Sequence, residues 1–440
     1  MKRTLPWLAT PYAPVSFFVV ATFLPYLVAN NNVIFSINPI LSPIEHTLVS
    51  LPLLLLLFCA AHLGYQHKPR SRGGLRLQHR RTTEPQNNTR LLTQYAPWSL
   101  RIARTLLWTC VVSSIAVGLY TFAAYRTGSF LTARAALDFQ GVGVVLRLYI
   151  AGLPLYLALV GRFNREATYA VILLGFSVFL RAIAISERSA LIEFALVFSV
   201  CYHFVTRISL LKYALYSAPV VLVYMALSLR DRLTTQGFRL SNGLFDSITF
   251  EMNNALIYYA DTINKLYIGI FQGLTSSSLY IADPVYKLLG AGTVTDVGLA
   301  TKYFLRELHS LGITDPGLSN PGGLAQDFSD FWYFFLPVVI AKFYIFGRLG
   351  RLFDNGHRIG LCLYPICFVA IFEYARFNYF YNGYGFLLGA TFVMIAALIR
   401  PRRGTLGSLL RRPISRLRPS TLPPQLASSW RPGPTPTRDA

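Results

Sequence analysis

Residues 179–199 read FLRAIAISERSALIEFALVFS, an apolar stretch broken once by Ser186-Glu187-Arg188-Ser189 and again by the single acid Glu193. Whether those charges face water or hydrocarbon depends on the solvent in which the chain folds. Composition answers that: of 440 residues, 53% are hydrophobic and only 14% charged, with mean hydropathy +0.44. A soluble domain carries about 25% charged residues. The apolar residues also come in runs of about 20, enough to cross a hydrocarbon layer of about 30 Å at about 1.5 Å per residue. Ten such runs lie at 13–29, 46–66, 105–125, 142–161, 166–183, 188–206, 211–229, 332–349, 359–377 and 380–399. The expected fold is all-α, a polytopic transmembrane helical protein of about ten spans over residues 1–399.

Orientation follows from Lys and Arg beside the spans. The loop 67–104 carries Lys68, Arg70, Arg72, Arg76, Arg80, Arg81, Arg90, Arg101 and Arg104 against one acid, Glu84, and is expected in the cytoplasm. Ten spans then put 162–166, 206–212, 347–358, both termini and the Arg- and Pro-rich tail 400–440 on that same side. The net charge of +22 reads as a topology signal and a contact with anionic headgroups of the lipid bilayer. It does not read as a nucleic-acid footprint, since no zinc finger or RNP pattern accompanies it. The tail and the 67–104 loop lack the apolar residues to bury a core and are expected to be disordered.

The five cysteines fall within apolar runs and the seven histidines are scattered without HExxH spacing, so neither a disulfide framework nor a metal site is indicated. No cofactor is expected, and no Walker A or GxGxxG run points to ATP. Met1 to Ala29 lacks a small-residue cleavage site and reads as a retained helix.

Residues 230–331, between spans seven and eight, form the large outer loop, rich in Tyr and near charge balance, and are expected to be ordered and partly helical. Within it NNALIYYADTINKLYIGIF (253–271) has apolar residues at helical spacing, with Asp261 and Lys265 on the other face. That helix is either a packing lid or a surface on which Tyr258, Tyr259 and Tyr267 offer flat faces to a sugar ring. Downstream, GLSNPGGLAQDFSDFWYFF (317–335) places Gly322 and Gly323 where the backbone can turn, then Asp327 and Asp330, then the next span.

The Ser-Glu-Arg-Ser break falls at the outer mouth between two helices. Ser186 suits an N-cap and Glu187 the first turn. Ser186, Ser189 and Glu193 share a face, and a carboxylate at that depth costs about 2.5–3.5 kcal/mol without a partner or a watery cavity, so Glu193 is not expected to face lipid. Arg188 belongs to a set with Arg126, Arg147, Arg181, Arg230, Arg232 and Arg376, all at the outer ends of spans. Guanidinium matches phosphate oxygens with a planar fork. Local pairing accounts for some of them: Glu187 beside Arg188, Asp231 between Arg230 and Arg232, Glu373 three before Arg376. Arg126, Arg147 and Arg181 have no acid nearby in sequence, and a polyanion such as a lipid-linked diphosphate fits the set.

The Ser-x-Arg-Ser-like break, LSLRDR (227–232), the large outer loop and NPGGLAQDFSDFW (320–332) together resemble the O-antigen or oligosaccharide repeat-unit polymerases of bacterial membranes over roughly residues 140–390. Two departures are Glu187, where a small residue is common before the Arg, and Asp330-Phe331-Trp332, where a Gly commonly follows the Asp-Phe pair. The resemblance implies glycosyl transfer at the periplasmic face of the inner membrane. A polyprenyl-diphosphate-linked oligosaccharide donates its chain to the sugar end of another, with a chain-length regulator as a further partner. The residues fit a metal-independent mechanism: Arg147, Arg181, Arg188, Arg230, Arg232 and Arg376 neutralise the departing diphosphate, and a carboxylate takes the acceptor proton. Glu187 and Glu193 are candidates by depth, and Asp231, Asp327 and Glu373 by position beside arginines. Two other classes stay open: an O-antigen ligase or other lipid-linked glycosyltransferase, with His309 as the outer-loop base, and a polysaccharide or lipid transporter.

Overall fold

The computed structural model describes residues 9–28, 43–67, 95–128, 142–185, 188–202, 322–375 and 383–399, with scattered positions between 218 and 266. All of them belong to one compact unit, Met1–Arg400; the tail expected at 400–440 lies outside the described residues. Among the described residues every regular element is helical and none is a strand. In hydrocarbon a segment must satisfy its own backbone polar groups, which a helix does without a neighbour.

In chain order the α-helices are α1 (Tyr12–Val28), α2 (Pro43–Gln66), α3 (Pro97–Thr127), α4 (Val142–Arg147), α5 (Tyr149–Val160), α6 (Arg165–Ile185), α7 (Arg188–Tyr202), α8 (Gly323–Phe331), α9 (Phe335–Asp354), α10 (Arg358–Phe372) and α11 (Gly383–Leu398). Short 3₁₀ turns, Trp332–Phe334 and Glu373–Ala375, lead into α9 and out of α10. Six segments are long and apolar enough to cross a membrane: Thr47–Gln66, Pro97–Thr127, Gly143–Val160, Arg165–Ile185, Trp332–Asp354 and Arg358–Ala375. Tyr12–Thr22, Ser189–Cys201 and Leu387–Leu398 are apolar but shorter.

Helix α3 starts at Pro97, eight residues before the apolar run expected at 105. Arg101 and Arg104 end a hydrocarbon-compatible run but are good helix formers, and Pro97 suits the first turn. The helix therefore continues past the end of the apolar run. The run expected at 142–161 is divided at Leu148 into α4 and α5. A helix, α8, occupies a stretch read from sequence only as a turn and an approach to the membrane.

Helix α5 is apolar all round and buried from Tyr149 to Leu159, as expected for a helix at the centre of a bundle. It packs on α3, α7 and α10, while α6 pairs with α3 and α9 with α2 and α10. The α2–α9 crossing is the most extensive contact, and small residues permit it. A Cβ on Gly64 would lie 2.0 Å from the Tyr344 carbonyl oxygen, and one on Gly347 2.0 Å from that of Ala61. Close backbone approach through small residues is how helices gain contact where lipid supplies no hydrophobic drive.

Polar side chains separate the two ends of the bundle. At one end Tyr65 donates to Asp354, the Tyr95 hydroxyl to the Gly356 carbonyl at 2.6 Å, Arg348 to the His67 carbonyl at 2.6 Å, and Arg358 to the Ile399 carbonyl at 3.3 Å. Glu166 there accepts from Arg104 and the Trp108 indole, both at 2.6 Å, and from Tyr156 at 2.7 Å, joining α3, α5 and α6. This end thus gathers the described parts of the basic segments 67–104, 162–166 and 347–358. His357 caps α10 by accepting from the Ile359 amide at 3.3 Å, and burial together with Arg358 holds its imidazole pKa below the ordinary value. The opposite end holds the start of α7, helix α8 and the Glu373–Ala375 turn.

Candidate functional site

At that opposite end two ion pairs are sunk into the bundle. Arg147 ends α4, and Glu193 lies in the second turn of α7. The Arg147 Nε stands 3.1 and 3.3 Å from the two Glu193 oxygens, with side chains 12% and 2% exposed. Glu193 thus faces the bundle, away from lipid, as its cost in hydrocarbon requires. On α7, described from Arg188, Glu193 comes one turn and a half along the helix, on the face that meets Arg147 at the end of α4.

The second pair is built by the turn into α8. Gly322 takes φ 76°, a left-handed conformation cheap only for glycine. Gly323 lies so near Tyr374 that a Cβ would meet its ring at 2.4 Å. Helix α8 then carries Asp327, fully buried, to the Lys342 Nζ at 2.5 Å, and Tyr374 donates to its other oxygen. Lys342 also lies 5.9 Å from the Phe331 ring centre and within electrostatic reach of Asp330. Where α8 ends, Trp332 takes φ 47°, a strained value for a bulky side chain, and the exposed Trp332, Tyr333 and Phe334 lead into α9. Glu373, also buried, opens the turn that holds Tyr374.

Residues between α7 and α8 reach this same turn. Thr262 donates to the Ala375 carbonyl at 3.1 Å, and Ile263 and Leu266 are buried in the main core. Of the helix expected at 253–271, the described residues Thr262, Ile263 and Leu266 are buried against the bundle.

Arg181 sits one turn from the end of α6 and is 1% exposed. Its neighbours Val178 and Ala182 pack on Ala190, Leu191 and Leu227. Arg230 is helical and half-buried, and Arg126 is exposed in the last turn of α3. Of the other expected site residues, Glu187, Asp231, Arg232, Arg376, Tyr258, Tyr259, Tyr267 and His309 lie outside the described residues, and Arg188 is described only in its backbone.

The structure therefore brings Arg147 to Glu193, two residues expected in different roles. It surrounds Asp327 with two residues, Lys342 and Tyr374, that sequence reasoning missed. Lys342 carried a signal, as the one charge in FLPVVIAKFYIFG (335–347), since an ionisable residue inside a span marks a site by default. Among the described residues no group of three His, Cys, Asp or Glu side chains is placed to hold a metal.

No protein-family model, no curated protein and no solved structure matches the chain. What the fold itself defines is a class: an all-helical protein with several membrane-spanning helices.

Proposed function

We propose that the protein polymerises polyprenyl-diphosphate-linked oligosaccharide repeat units into a surface polysaccharide at the periplasmic face of a bacterial inner membrane. In this reading the chain crosses the bilayer about ten times, with both termini and the basic end of the bundle in the cytoplasm. The observation that carries it is the pair Arg147–Glu193: a guanidinium and a carboxylate in contact at the end of the bundle opposite the basic loops, where Arg181 and Arg230 also lie.

The pair suits an exchange of partners. A lipid diphosphate entering from the outer leaflet competes with Glu193 for Arg147. As the guanidinium turns to the phosphate oxygens, Glu193 is released to accept a proton. The acceptor sugar hydroxyl attacks the anomeric carbon of the donor, the bond from that carbon to the diphosphate oxygen breaks, and polyprenyl diphosphate leaves with the electron pair. The hydroxyl proton goes to Glu193, and arginine neutralises the charge growing on the leaving group. Asp327, whose oxygens accept from Lys342 and Tyr374, is given a structural role in this reading. It serves to seat α8.

The test is polymer length on a gel from cells carrying Arg147→Ala, Glu193→Ala and the double variant, with membrane abundance checked by blot. Losing a charge-assisted contact to the diphosphate removes about 1.5–3 kcal/mol, or about ten- to hundredfold in rate, so both singles and the double should make only short products. Arg147→Lys should recover part of the length, keeping the charge without the fork. Full-length polymer from the double variant would mean that the pair serves the fold alone.

A further inference from the structure

A second site lies at the other end of the bundle and is independent of the polymerase reading. Arg104, Thr105, Trp108, Thr109, Val112 and Ser113 line an open groove of about 610 Å³ along one face of α3. Its depth in the bilayer is fixed by Glu166, which accepts from both Arg104 and Trp108 and is the second residue of the 21-residue span Arg165–Ile185. Arg104 and Trp108 therefore stand at a membrane boundary, where indole rings concentrate. From that level the groove runs inward and becomes apolar, past Thr109 to the exposed Val112.

Its charged end is basic. Arg101 and Arg104 on α3, and Arg162 and Arg165 beside Glu166 in the chain, are all exposed, four cations to one acid. The order, cation then aromatic then aliphatic wall, matches one lipid molecule read from headgroup to chain. We propose that this groove binds a phospholipid with an anionic headgroup, the phosphate at Arg104 and one acyl chain along Trp108, Thr109 and Val112. Glu166 acts here as a positioning residue: it holds the Trp108 ring as one wall and keeps Arg104 extended along the groove.

The probe is Trp108 itself. In the full chain, with Trp7, Trp98, Trp332 and Trp430 changed to Phe, its fluorescence is measured in vesicles containing phosphatidylglycerol or phosphatidylcholine brominated in the acyl chains. Each basic contact near the surface favours an anionic lipid about fivefold, so brominated phosphatidylglycerol should quench at a correspondingly lower mole fraction. Arg104→Gln should cut that preference about fivefold and leave quenching by phosphatidylcholine unchanged, which also reports that the helix remains in place. Thr109→Phe in the same single-tryptophan chain, which fills the groove, should exclude the bromolipid from Trp108, whereas Thr109→Ser should leave the quenching unchanged. Equal quenching by the two lipids, or a preference that survives Arg104→Gln together with Arg101→Gln, Arg162→Gln and Arg165→Gln, would overturn the site.

Discussion

Asp327 shows what a single buried charge commits the chain to. It has no exposed surface, so its charge rests on Lys342 and its remaining acceptor capacity on Tyr374. Removing one member of such a pair leaves the other charged in a low-dielectric site, at a cost of about 3–5 kcal/mol. Lys342→Met and Asp327→Asn should therefore each lower the midpoint of thermal unfolding in detergent. The double variant should unfold nearer the parent temperature than either single, and strictly additive losses would show that the two side chains do not depend on each other. The sequence allowed Glu193 to be singled out, because a carboxylate within an apolar run has few inexpensive places to go; Asp327 was singled out for a place beside arginines, and it meets Lys342 instead. The sequence did not allow their partners to be assigned: Arg147 is 46 residues from Glu193, and the choice among seven outer arginines depended on which helix faces α7.

At the scale of elements, helix existence was legible and helix contact was not. Apolar runs of bilayer length mark α2, α3, α6, α9 and α10, whereas α8 is only nine residues and too polar for such a run. Its amphipathic sequence GLAQDFSDF acquires a helical conformation because Gly322 turns the chain and Asp327 finds Lys342. The α2–α9 crossing likewise depends on Gly64 and Gly347, which in sequence are unremarkable glycines within apolar runs. Gly347→Leu should push the helices apart and destabilise the protein by about 4 kcal/mol or more, the range reserved for severe overpacking. Gly389→Ala in α11, where nothing lies within 4 Å of the new methyl, should leave the unfolding midpoint unchanged or raise it through the better helix propensity of alanine. Similar midpoints for the two variants would mean that the crossing is not closely packed.

Over the whole molecule the expected topology makes a direct prediction. Reporter fusions active only in the cytoplasm should be active at Asn88 and Ser420 and silent at Thr275, while exported reporters should show the reverse. A cytoplasmic signal at Thr275 would discard both the ten-span arrangement and a polymerase site facing outward. The sequence by itself determined the solvent and the helical class: 53% hydrophobic residues in runs of bilayer length leave helices as the economical solution, and the described parts of the basic segments 67–104, 162–166 and 347–358 meet at one end of the bundle, as expected where Lys and Arg collect on one side. Only the tertiary structure decided which helix is central, which arginine meets Glu193, and how Asp327 is held. The reason is physical: spanning a membrane requires each segment to satisfy its own backbone, a local property written in composition. Neutralising a buried charge requires a side chain from another segment at about 3 Å, and that distance exists only after the helices have packed.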